Sequence, residues 1–262
     1  MKIFVSVVSH LDHDIVINLG TIKRLAVHAN IEVICRDNKP ISKLKIYCEK
    51  YDVKYIGNQQ EVGFSTNNNA NFLFFQKELG MREGDYFLLL NPDIFMSDET
   101  IDIFLAEIGD KQPTLATCNL YLDREYMVHD DNIRTYPTFL NFVKTYLLQD
   151  RATMVKRDHQ FNLTEAHWVS CSCLLVKSDI YQQLHGLDES YYMYCEDIDF
   201  GYRAKLAGLQ TAYLENVKLV HYRRRDSKRF LSKYFYWHVK SVVRYSLVTK
   251  KIHALKSCLA EL

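Results

Sequence analysis

The sequence predicts an α/β protein whose mostly parallel sheet is flanked by helices. In the first half of the chain, apolar strand-like runs alternate with helical patterns about every ten to fifteen residues, which is typical of βαβ units. The first run, residues 2–9, is rich in β-branched residues, as strands are. Open parallel sheets bind ligands beyond the ends of their strands. We therefore expect functional residues in the loops Ser9-His10, Asp37-Asn38 and Asn91-Pro92-Asp93.

The first half supplies its predicted elements in a regular order. A helical pattern follows the first strand and passes through Ile15, Leu19 and Ile22. Turn residues end two of the strands, at residues 36–40 and at Asn91-Pro92. The remaining predictions for this half are strands at residues 31–35, 53–56 and 86–90 and helices at residues 44–51 and 72–79.

The second half is less regular. Gly208 ends a predicted helix that begins at Glu196, as glycine commonly does. No internal repeat or linker interrupts the chain, which favours one domain with a helical C-terminal extension. The predictions for this half are strands at residues 115–122, 168–176, 211–214 and 217–220 and helices at residues 139–148, 178–184, 196–207 and 230–249.

Charge is distributed unevenly along the 262 residues. The net charge is +1, but the segment from Arg223 onward contains 11 Lys/Arg and 2 Asp/Glu. A basic helix bearing tryptophan suits an anionic membrane surface, and the same pattern also fits an amphipathic helix packed on the domain. The last predicted helix has one face of Lys233, Trp237, Lys240 and Arg244 and another of Leu231, Phe235 and Val242.

The cysteines and the apolar runs indicate the compartment. Seven cysteines without a C-x-x-C pair favour reduced thiols and the cytoplasm. Cys171 and Cys173 are expected to be buried apolar side chains, with a metal pair as the weaker alternative. No apolar run reaches the ~18 residues that span a bilayer, and the N-terminus does not resemble a signal peptide. We therefore expect a soluble or peripheral protein.

Three carboxylates, Glu196, Asp197 and Asp199, occupy the start of a predicted helix. Apolar neighbours would leave them poorly solvated, which raises the pKa of a carboxyl group and favours base catalysis. Two structural explanations compete with this one. Acidic residues in a first helical turn complement the helix dipole, and Asp199 and Arg203 are spaced as an i, i+4 ion pair.

Asp93 directly follows a buried strand and Pro92. A carboxylate at such a strand end can hold Mg²⁺ or Mn²⁺ together with substrate phosphates. His221, at the end of a later strand, is a second candidate ligand, and Arg223 could bind a diphosphate. The alternatives are a helix cap at Asn91 or Asp93, a structural histidine and a solvated basic patch.

Gly63 and the polar residues after it lie at a predicted helix start. The amides, Asn67 among them, could bind sugar hydroxyls or phosphate, or could cap the helix. The chain contains neither a P-loop nor a G-x-G-x-x-G motif.

Taken in order, these motifs resemble those of the family 2 glycosyltransferases of the GT-A fold, in particular the bacterial O-antigen rhamnosyltransferases acting on N-acetylglucosamine-diphosphoundecaprenol. The likeness covers most of the chain. Its motifs are Val5-Ser6-Val7-Val8-Ser9-His10, Arg36-Asp37-Asn38, Gly63-Phe64 with Asn67-Asn68-Asn69, Leu90-Asn91-Pro92-Asp93, Tyr192-Met193-Tyr194-Cys195-Glu196-Asp197-Ile198-Asp199, and Trp237-His238 with Lys240-Ser241 and Arg244-Tyr245.

The resemblance implies inverting transfer of L-rhamnose from dTDP-β-L-rhamnose, with Mg²⁺ or Mn²⁺, in lipopolysaccharide synthesis. It implies that Asp93 and His221 hold the metal, that Asp197 is the general base, and that Glu196 and Asp199 orient the base or the acceptor. Asp37 would contact the nucleoside. The family's D-x-D motif is Asn91-Pro92-Asp93 here, and the lost carboxylate weakens metal binding. The full expected donor-binding set is Ser9, His10, Asp37, Asn38, Gly63, Asn67, Asn91 and Arg223.

The resemblance also implies a domain division, partners and a location. A GT-A domain would occupy residues 1–222, with a nucleotide-binding half at 1–110 and an acceptor half at 111–222, and residues 223–262 would form the basic helical extension. The expected partners are a nucleotide sugar, an undecaprenyl-diphosphate-linked sugar acceptor and an anionic membrane surface, and no nucleic acid. The expected location is the cytoplasmic face of the bacterial inner membrane.

Three alternatives stay open at this point. The donor could be a UDP- or GDP-linked sugar. A sugar-phosphate nucleotidyltransferase would have a glycine-rich loop with a basic residue after the first strand, where this chain has Ser9-His10-Leu11-Asp12. A non-catalytic module that binds a sugar or a nucleotide would not need carboxylates both at a strand end and at a helix start.

Overall fold

The computed structural model describes residues 1–148, 151–157, 161–223, 233–249 and 254–260, without the side chains of residues 146, 147 and 233–235. A mixed eight-stranded sheet, ordered β3-β2-β1-β4-β9-β6-β10-β5, forms its centre, and β7 and β8 form a separate two-stranded antiparallel sheet. The strands are β1 (Ile3–Ser9), β2 (Ile31–Asp37), β3 (Lys54–Gly57), β4 (Tyr86–Leu90), β5 (Ile94–Phe95), β6 (Leu115–Tyr121), β7 (Ile133–Thr135), β8 (His167–Val169), β9 (Cys173–Lys177) and β10 (Thr211–His221).

The register of the parallel strands brings the predicted loops to one edge of the sheet. Ser9 pairs with Asp37, and Val7 pairs with Leu90, so β1, β2 and β4 end side by side. β9 runs antiparallel between β4 and β6. The loop before β9 therefore reaches the same edge, where the backbone N–H of Asn91 donates to the carbonyl of Ser172 at 2.9 Å.

Helices cover both faces of the sheet. Alternate residues of β1 point to opposite cores: Val5 and Val7 to one, with Phe104, and Phe4 to the other, with Phe72. The helices are α1 (His13–Leu19), α2 (Thr21–Ala26), α3 (Ser42–Lys50), α4 (Phe64–Glu78), α5 (Asp98–Lys111), α6 (Phe139–Leu148), α7 (Ser178–Gln183), α8 (Glu196–Leu206) and α9 (Lys233–Val248).

The α/β class and the mostly parallel sheet are confirmed, and several element predictions need correction. The first predicted helix is two helices, because Gly20 has a φ of +65° and ends α1. α4 begins at Phe64 rather than at residue 72, and α5 was not predicted. The two predicted strands at 211–214 and 217–220 are one strand with a bulge, whereas the predicted strand 168–176 is interrupted between β8 and β9.

α9 packs against the domain through two residues that the sequence assigned to a basic surface. Arg244 forms an ion pair with Asp188 at 2.6 Å, and the ring of Trp237 lies 4.3 Å from that of Tyr192, between centroids. These contacts agree with the alternative of an amphipathic helix packed on the domain, and the membrane-facing role of the two residues stays a prediction. Val242 is buried, as expected, while Leu231 and the side chains of Lys233 and Phe235 lie outside the described residues.

The cysteines are free thiols, and most of them are buried. None of the seven cysteines forms a disulfide; Cys258 is exposed and the other six, including Cys171 and Cys173, are buried. Nearby, Leu259 is buried in the core beside Gly186. Within the described ranges, no helix combines the length and the apolar character needed to cross a bilayer.

Candidate active site

Asp93 and His221 meet where β5 pairs with β10. The antiparallel register places His221 opposite Ile94, which puts Asp93 beside the histidine. His221 Nε2 lies 3.2 Å from Asp93 Oδ1, and both residues are buried. Asp93 is not the helix cap, because Ser97 caps α5 by accepting from the N–H of Thr100 at 3.2 Å. The structure thus brings the two predicted metal ligands together.

Asp130 lies on the other side of His221 and was not singled out from the sequence. Its Oδ2 is 2.5 Å from His221 Nδ1. Arg223 forms ion pairs with both Asp130 and Asp131. The guanidinium group of Arg223 is thus engaged by two carboxylates, and its contact with a diphosphate stays a prediction. A polar run at residues 129–132 was the sequence signal for this cluster.

The residues around His221 fit a divalent cation whose coordination is completed by substrate. Within the described residues, no group of three or more His, Cys, Asp or Glu side chains is arranged to hold a metal ion. Mg²⁺ is commonly held by one or two protein carboxylates, substrate phosphates and water. Asp93 Oδ1 and His221 Nε2 converge in this way, and Asp130 can fix the ring orientation from Nδ1.

The acidic cluster is held by an unusual backbone. Tyr194 and Cys195 have φ angles of 71° and 65°, a left-handed conformation that costs non-glycine residues energy. α8 begins immediately afterwards, at Glu196. The strained turn thereby fixes where Glu196 and Asp197 enter the site.

Asp197 combines partial exposure with a raised pKa. It is half-buried, and its Oδ1 accepts from the N–H of Ile198 at 2.9 Å. Burial raises the pKa of Asp197 to about 6, although Arg134 and the backbone N–H groups of Ile198 and Cys171 oppose the shift. A base with a pKa near neutrality is well matched to proton abstraction. Residues 170–172 lie between the Asp93 loop and Asp197. The Ser172 carbonyl accepts from the N–H of Asn91, and the Cys171 N–H bonds to Asp197.

Glu196 and Asp199 differ from Asp197. Burial and the charge of Asp197 raise the pKa of Glu196 well above its ordinary value, and Glu196 Oε2 has no hydrogen-bond partner in the described part of the chain. Asp199 is only 1% exposed and accepts from Arg203 Nε at 2.9 Å. Arg203 also donates to the carbonyls of Leu184 and Gly186. Asp199 therefore anchors α8, and its part in orienting the base or the acceptor stays a prediction.

Asp37 is enclosed by its own loop. Its carboxylate is fully buried and accepts from the N–H of Ile41 at 3.2 Å and from the Tyr55 hydroxyl at 3.1 Å, and it faces His13 Nε2 at 3.2 Å. These contacts hold the carboxylate within its own loop, and the nucleoside contact of Asp37 stays a prediction. Ser9 Oγ, which is also buried, has no partner among the described residues.

The predicted donor-binding amides form an internal network. Asn58 Nδ2 donates to Asn38 Oδ1 at 2.9 Å and to Asn67 Oδ1 at 2.7 Å. Asn38 also bonds to His10 Nδ1 and to both backbone polar groups of Val62. Asn38 and Asn67 therefore join the surrounding loops, and their direct binding of the donor stays a prediction.

Gly63 has a packing role and Asn91 an accessible side chain. The N–H of Phe64, next to Gly63, donates to the Tyr192 carbonyl at 2.8 Å. A side chain at Gly63 would collide with Tyr192, so the glycine permits contact between two loops.

The half-exposed side chain of Asn91 has no hydrogen bond within the described residues.

The comparisons identify the family. No protein-family profile matches the chain. The chain is 31% identical over 256 residues to the rhamnosyltransferase WbbL of Escherichia coli (strain K12), covering 95% of this chain and 94% of that protein. It is 26% identical over 164 residues to an N-acetylglucosaminyl-diphospho-decaprenol L-rhamnosyltransferase of Mycobacterium tuberculosis, covering 60% and 53% of the two chains.

A solved structure shows the same fold. The mannosyltransferase of Pyrobaculum calidifontis in complex with GDP-Man and Mn²⁺ matches with a TM-score of 0.59, over 97% of this chain and 66% of that one, at 10% identity. The sheet, the carboxylates at its edge and the similar proteins all indicate the same family. The chain therefore belongs to the family 2 glycosyltransferases of the GT-A fold and is a relative of bacterial rhamnosyltransferases.

Proposed function

We propose that this glycosyltransferase moves L-rhamnose from dTDP-β-L-rhamnose to a lipid-linked N-acetylglucosamine, with inversion, during O-antigen synthesis. The observation that carries the proposal is Asp197, a half-buried carboxylate whose pKa is raised to about 6 at the sheet edge that also holds Asp93. The relatives named rhamnosyltransferases support the sugar. Inversion follows from direct displacement, in which the acceptor hydroxyl attacks from the face opposite the leaving diphosphate.

In the proposed mechanism Asp197 accepts the proton of the acceptor hydroxyl as that oxygen attacks the anomeric carbon. The arrangement of the acceptor beside a base of matched pKa lowers the barrier by positioning and by proton transfer. Asp93 and His221 would hold a Mg²⁺ or Mn²⁺ ion, which when bound neutralises charge on the departing diphosphate. The Mn²⁺ complex of the mannosyltransferase supports a divalent cation. Asn91 is available to donate a hydrogen bond to the same diphosphate.

The location proposed is the cytoplasmic face of the bacterial inner membrane, and its support is an apolar surface formed by α6 and α9. The two helices pack together through Phe142 and Tyr245, with ring centroids 6.2 Å apart. Lys144 and Lys240, both exposed, flank the apolar residues and complement anionic lipids. The exposed apolar side chains of this surface are Phe139, Leu140, Leu148, Tyr236, Val239 and Val243.

A vesicle experiment tests the location. The double variant Val239→Glu, Val243→Glu should bind vesicles rich in anionic lipid less than the parent protein, because charge on this surface opposes contact with hydrocarbon. Ile46→Glu is the matched control, since Ile46 is 63% exposed on α3. Equal binding by all three proteins would remove α6 and α9 from the proposed contact.

A transfer assay tests the reaction. Labelled dTDP-rhamnose is incubated with an N-acetylglucosamine-diphospholipid, with Mn²⁺ or with EDTA, and the product linkage is assigned by NMR. The expected result is one α-linked rhamnose per acceptor and loss of transfer in EDTA. A parallel screen of UDP- and GDP-sugars identifies the donor. Preferred transfer from one of those donors would reject dTDP-rhamnose, and a β-linked product would reject inversion.

A further inference from the structure

Arg134, on β7, presents a cation that the proposed mechanism does not use. In the pairing of β7 with β8, Arg134 lies opposite Trp168, and its guanidinium carbon is 5.8 Å from the Trp168 ring centroid. Arg134 Nε donates to the Asp131 carbonyl at 2.8 Å. In the described part of the chain, neither terminal nitrogen of this guanidinium group has a hydrogen-bond partner. Two nitrogens in the planar geometry that binds phosphate are thus available.

The two-stranded sheet of β7 and β8, which contains Arg134, packs against α8, the helix that carries the proposed base. A Cβ added to Gly201 of α8 would lie 3.1 Å from the Tyr136 hydroxyl and 3.4 Å from Trp168 Cβ. The charge of Arg134 lowers the pKa of Asp197, which requires the two groups to be near each other. Burial also lowers the pKa of Arg134 itself. Arg134 is therefore a poorly solvated cation beside the proposed base.

Arg134 also influences the helix that forms the apolar surface. Burial lowers the pKa of His238, on α9, and the charge of Arg134 lowers it further. The ring of His238 lies 6.2 Å from that of Phe142, on α6, and 5.3 Å from that of Tyr194, between centroids. The base, the cation and the apolar surface of α6 and α9 thus form one connected region. An amphiphilic acceptor has its parts in the same order: a sugar that would meet the base, an anionic linker that would meet the cation, and a hydrocarbon chain that would meet the apolar surface.

We propose that the guanidinium group of Arg134 binds the phosphate that joins the acceptor sugar to its lipid. The proposal rests on the proposed function, because it concerns the acceptor of the same reaction. Two parallel N–H donors match two phosphate oxygens, and a site with little water strengthens the attraction. The metal-binding pair, Asp93 and His221, serves the donor diphosphate instead.

The experiment compares two synthetic acceptors that carry the same sugar and the same alkyl chain. One has a diphosphate linker and the other a neutral ether linker. Arg134→Gln should lower kcat/KM for the diphosphate acceptor by about 10- to 150-fold, the loss expected for a hydrogen bond to a charged group. The loss on the neutral acceptor should be much smaller. Assays at pH 8.5 keep Asp197 ionised in every variant.

Arg151→Gln is the matched control, because Arg151 is exposed and its guanidinium group already bonds to Asp131. This control should affect both acceptors equally. Arg134→Lys keeps the charge but loses the planar pair of donors, so it should fall between the parent and Arg134→Gln. Where Arg134→Gln does not fold, Arg134→Lys decides by the same comparison, with a larger loss required on the diphosphate acceptor.

Competition gives the same information without sugar transfer. An alkyl diphosphate should inhibit the parent enzyme more strongly than Arg134→Gln or Arg134→Lys, and the alkyl alcohol should not distinguish them. Equal losses on both acceptors, or an unchanged inhibition constant, would overturn the proposal and leave Arg134 as a group that orients Asp197. A weaker donor affinity in the variants would assign Arg134 to the donor. Failure of the parent enzyme to glycosylate either acceptor would reject the proposed function instead.

Discussion

A Cβ built on Gly63 would lie 2.8 Å from both the Cα and the carbonyl oxygen of Tyr192. The N-terminus of α4 and the loop that precedes the acidic helix are therefore in backbone contact. The donor half and the acceptor half predicted from the sequence meet at this glycine. A change of one methyl group at this position would displace the segment that leads to Asp197.

Gly63→Ala should destabilise the protein by about 1–3 kcal/mol, because the added methyl group overpacks a backbone contact. Activity should fall further than stability alone explains, since the loop before Asp197 must move. Chemical denaturation and kcat measure the two effects. Gly109→Ala, in α5, is the control: apart from its chain neighbours and its own helix backbone, no atom of the described residues lies within 4 Å of its added Cβ, so helix propensity should make it neutral or stabilising. Similar behaviour of both variants would contradict the packing role of Gly63.

Asp197→Asn should keep donor affinity and lose turnover. Asparagine has nearly the same shape but cannot accept the acceptor proton, and loss of a general base typically costs on the order of 10²- to 10⁴-fold in rate. Isothermal titration with the nucleotide sugar and steady-state kinetics separate the two effects. Turnover within a few fold of the parent would remove Asp197 from the role of base.

The pH dependence of kcat/KM should report the same group. Burial raises the pKa of Asp197 to about 6, so the carboxylate that accepts the proton is present above that pH and is lost as the pH falls below it. The charges nearby are those of Glu196, Asp199 and Arg134. We expect the rate to decrease tenfold per pH unit below about pH 6. A profile that stays flat down to pH 4.5 would be inconsistent with this base.

Asp199→Asn should act on stability. The substitution leaves Arg203 partly buried without its charge partner, and breaking a buried ion pair in this way typically costs ~3–5 kcal/mol. Glu49→Gln removes an exposed pair with the same i, i+4 spacing, from Lys45, and should cost less than 1 kcal/mol. Thermal unfolding of the two variants gives the comparison. Equal changes in Tm would show that Asp199 does not anchor α8.

Asp130→Ala should weaken metal binding without removing a metal ligand. Loss of the carboxylate that orients a ligating histidine typically costs about 10- to 100-fold in metal affinity. Mn²⁺ titration in the presence of the nucleoside diphosphate, followed by electron paramagnetic resonance, measures that affinity directly. Asp131→Ala is the control, because Asp131 bonds to Arg223 and Arg151 but not to His221. An affinity unchanged in Asp130→Ala would exclude this support of His221.

The sequence was sufficient for features that depend on local pattern. The β-branched run at residues 2–9 predicted β1, and the end of a buried strand placed Asp93 at the sheet edge. Hydrogen bonds between residues that are distant in the sequence could not be predicted from it. Asn38 and Asn67 have the composition of a ligand site, but their amides are satisfied by Asn58 and Val62.

Two further features required three-dimensional contacts. Asp130 is 91 residues from His221 in sequence, in a stretch without regular periodicity, and only the fold brings the two together. Tyr194 and Cys195 adopt left-handed backbone angles, which residues other than glycine rarely do. Their residue types therefore gave no reason to predict this conformation. Tertiary packing imposes that conformation, and it sets the entry of the proposed base.

Of the seven cysteines only Cys258 is exposed, and none is tied in a disulfide. A maleimide fluorophore should therefore attach at one position of the unmodified protein, beside Leu259 in the segment that closes on the core. Burial raises the pKa of thiols such as Cys171 and Cys195, which keeps them protonated and slow to react. The native chain thus supplies its own site for energy-transfer measurements of its approach to lipid vesicles, without prior removal of other thiols.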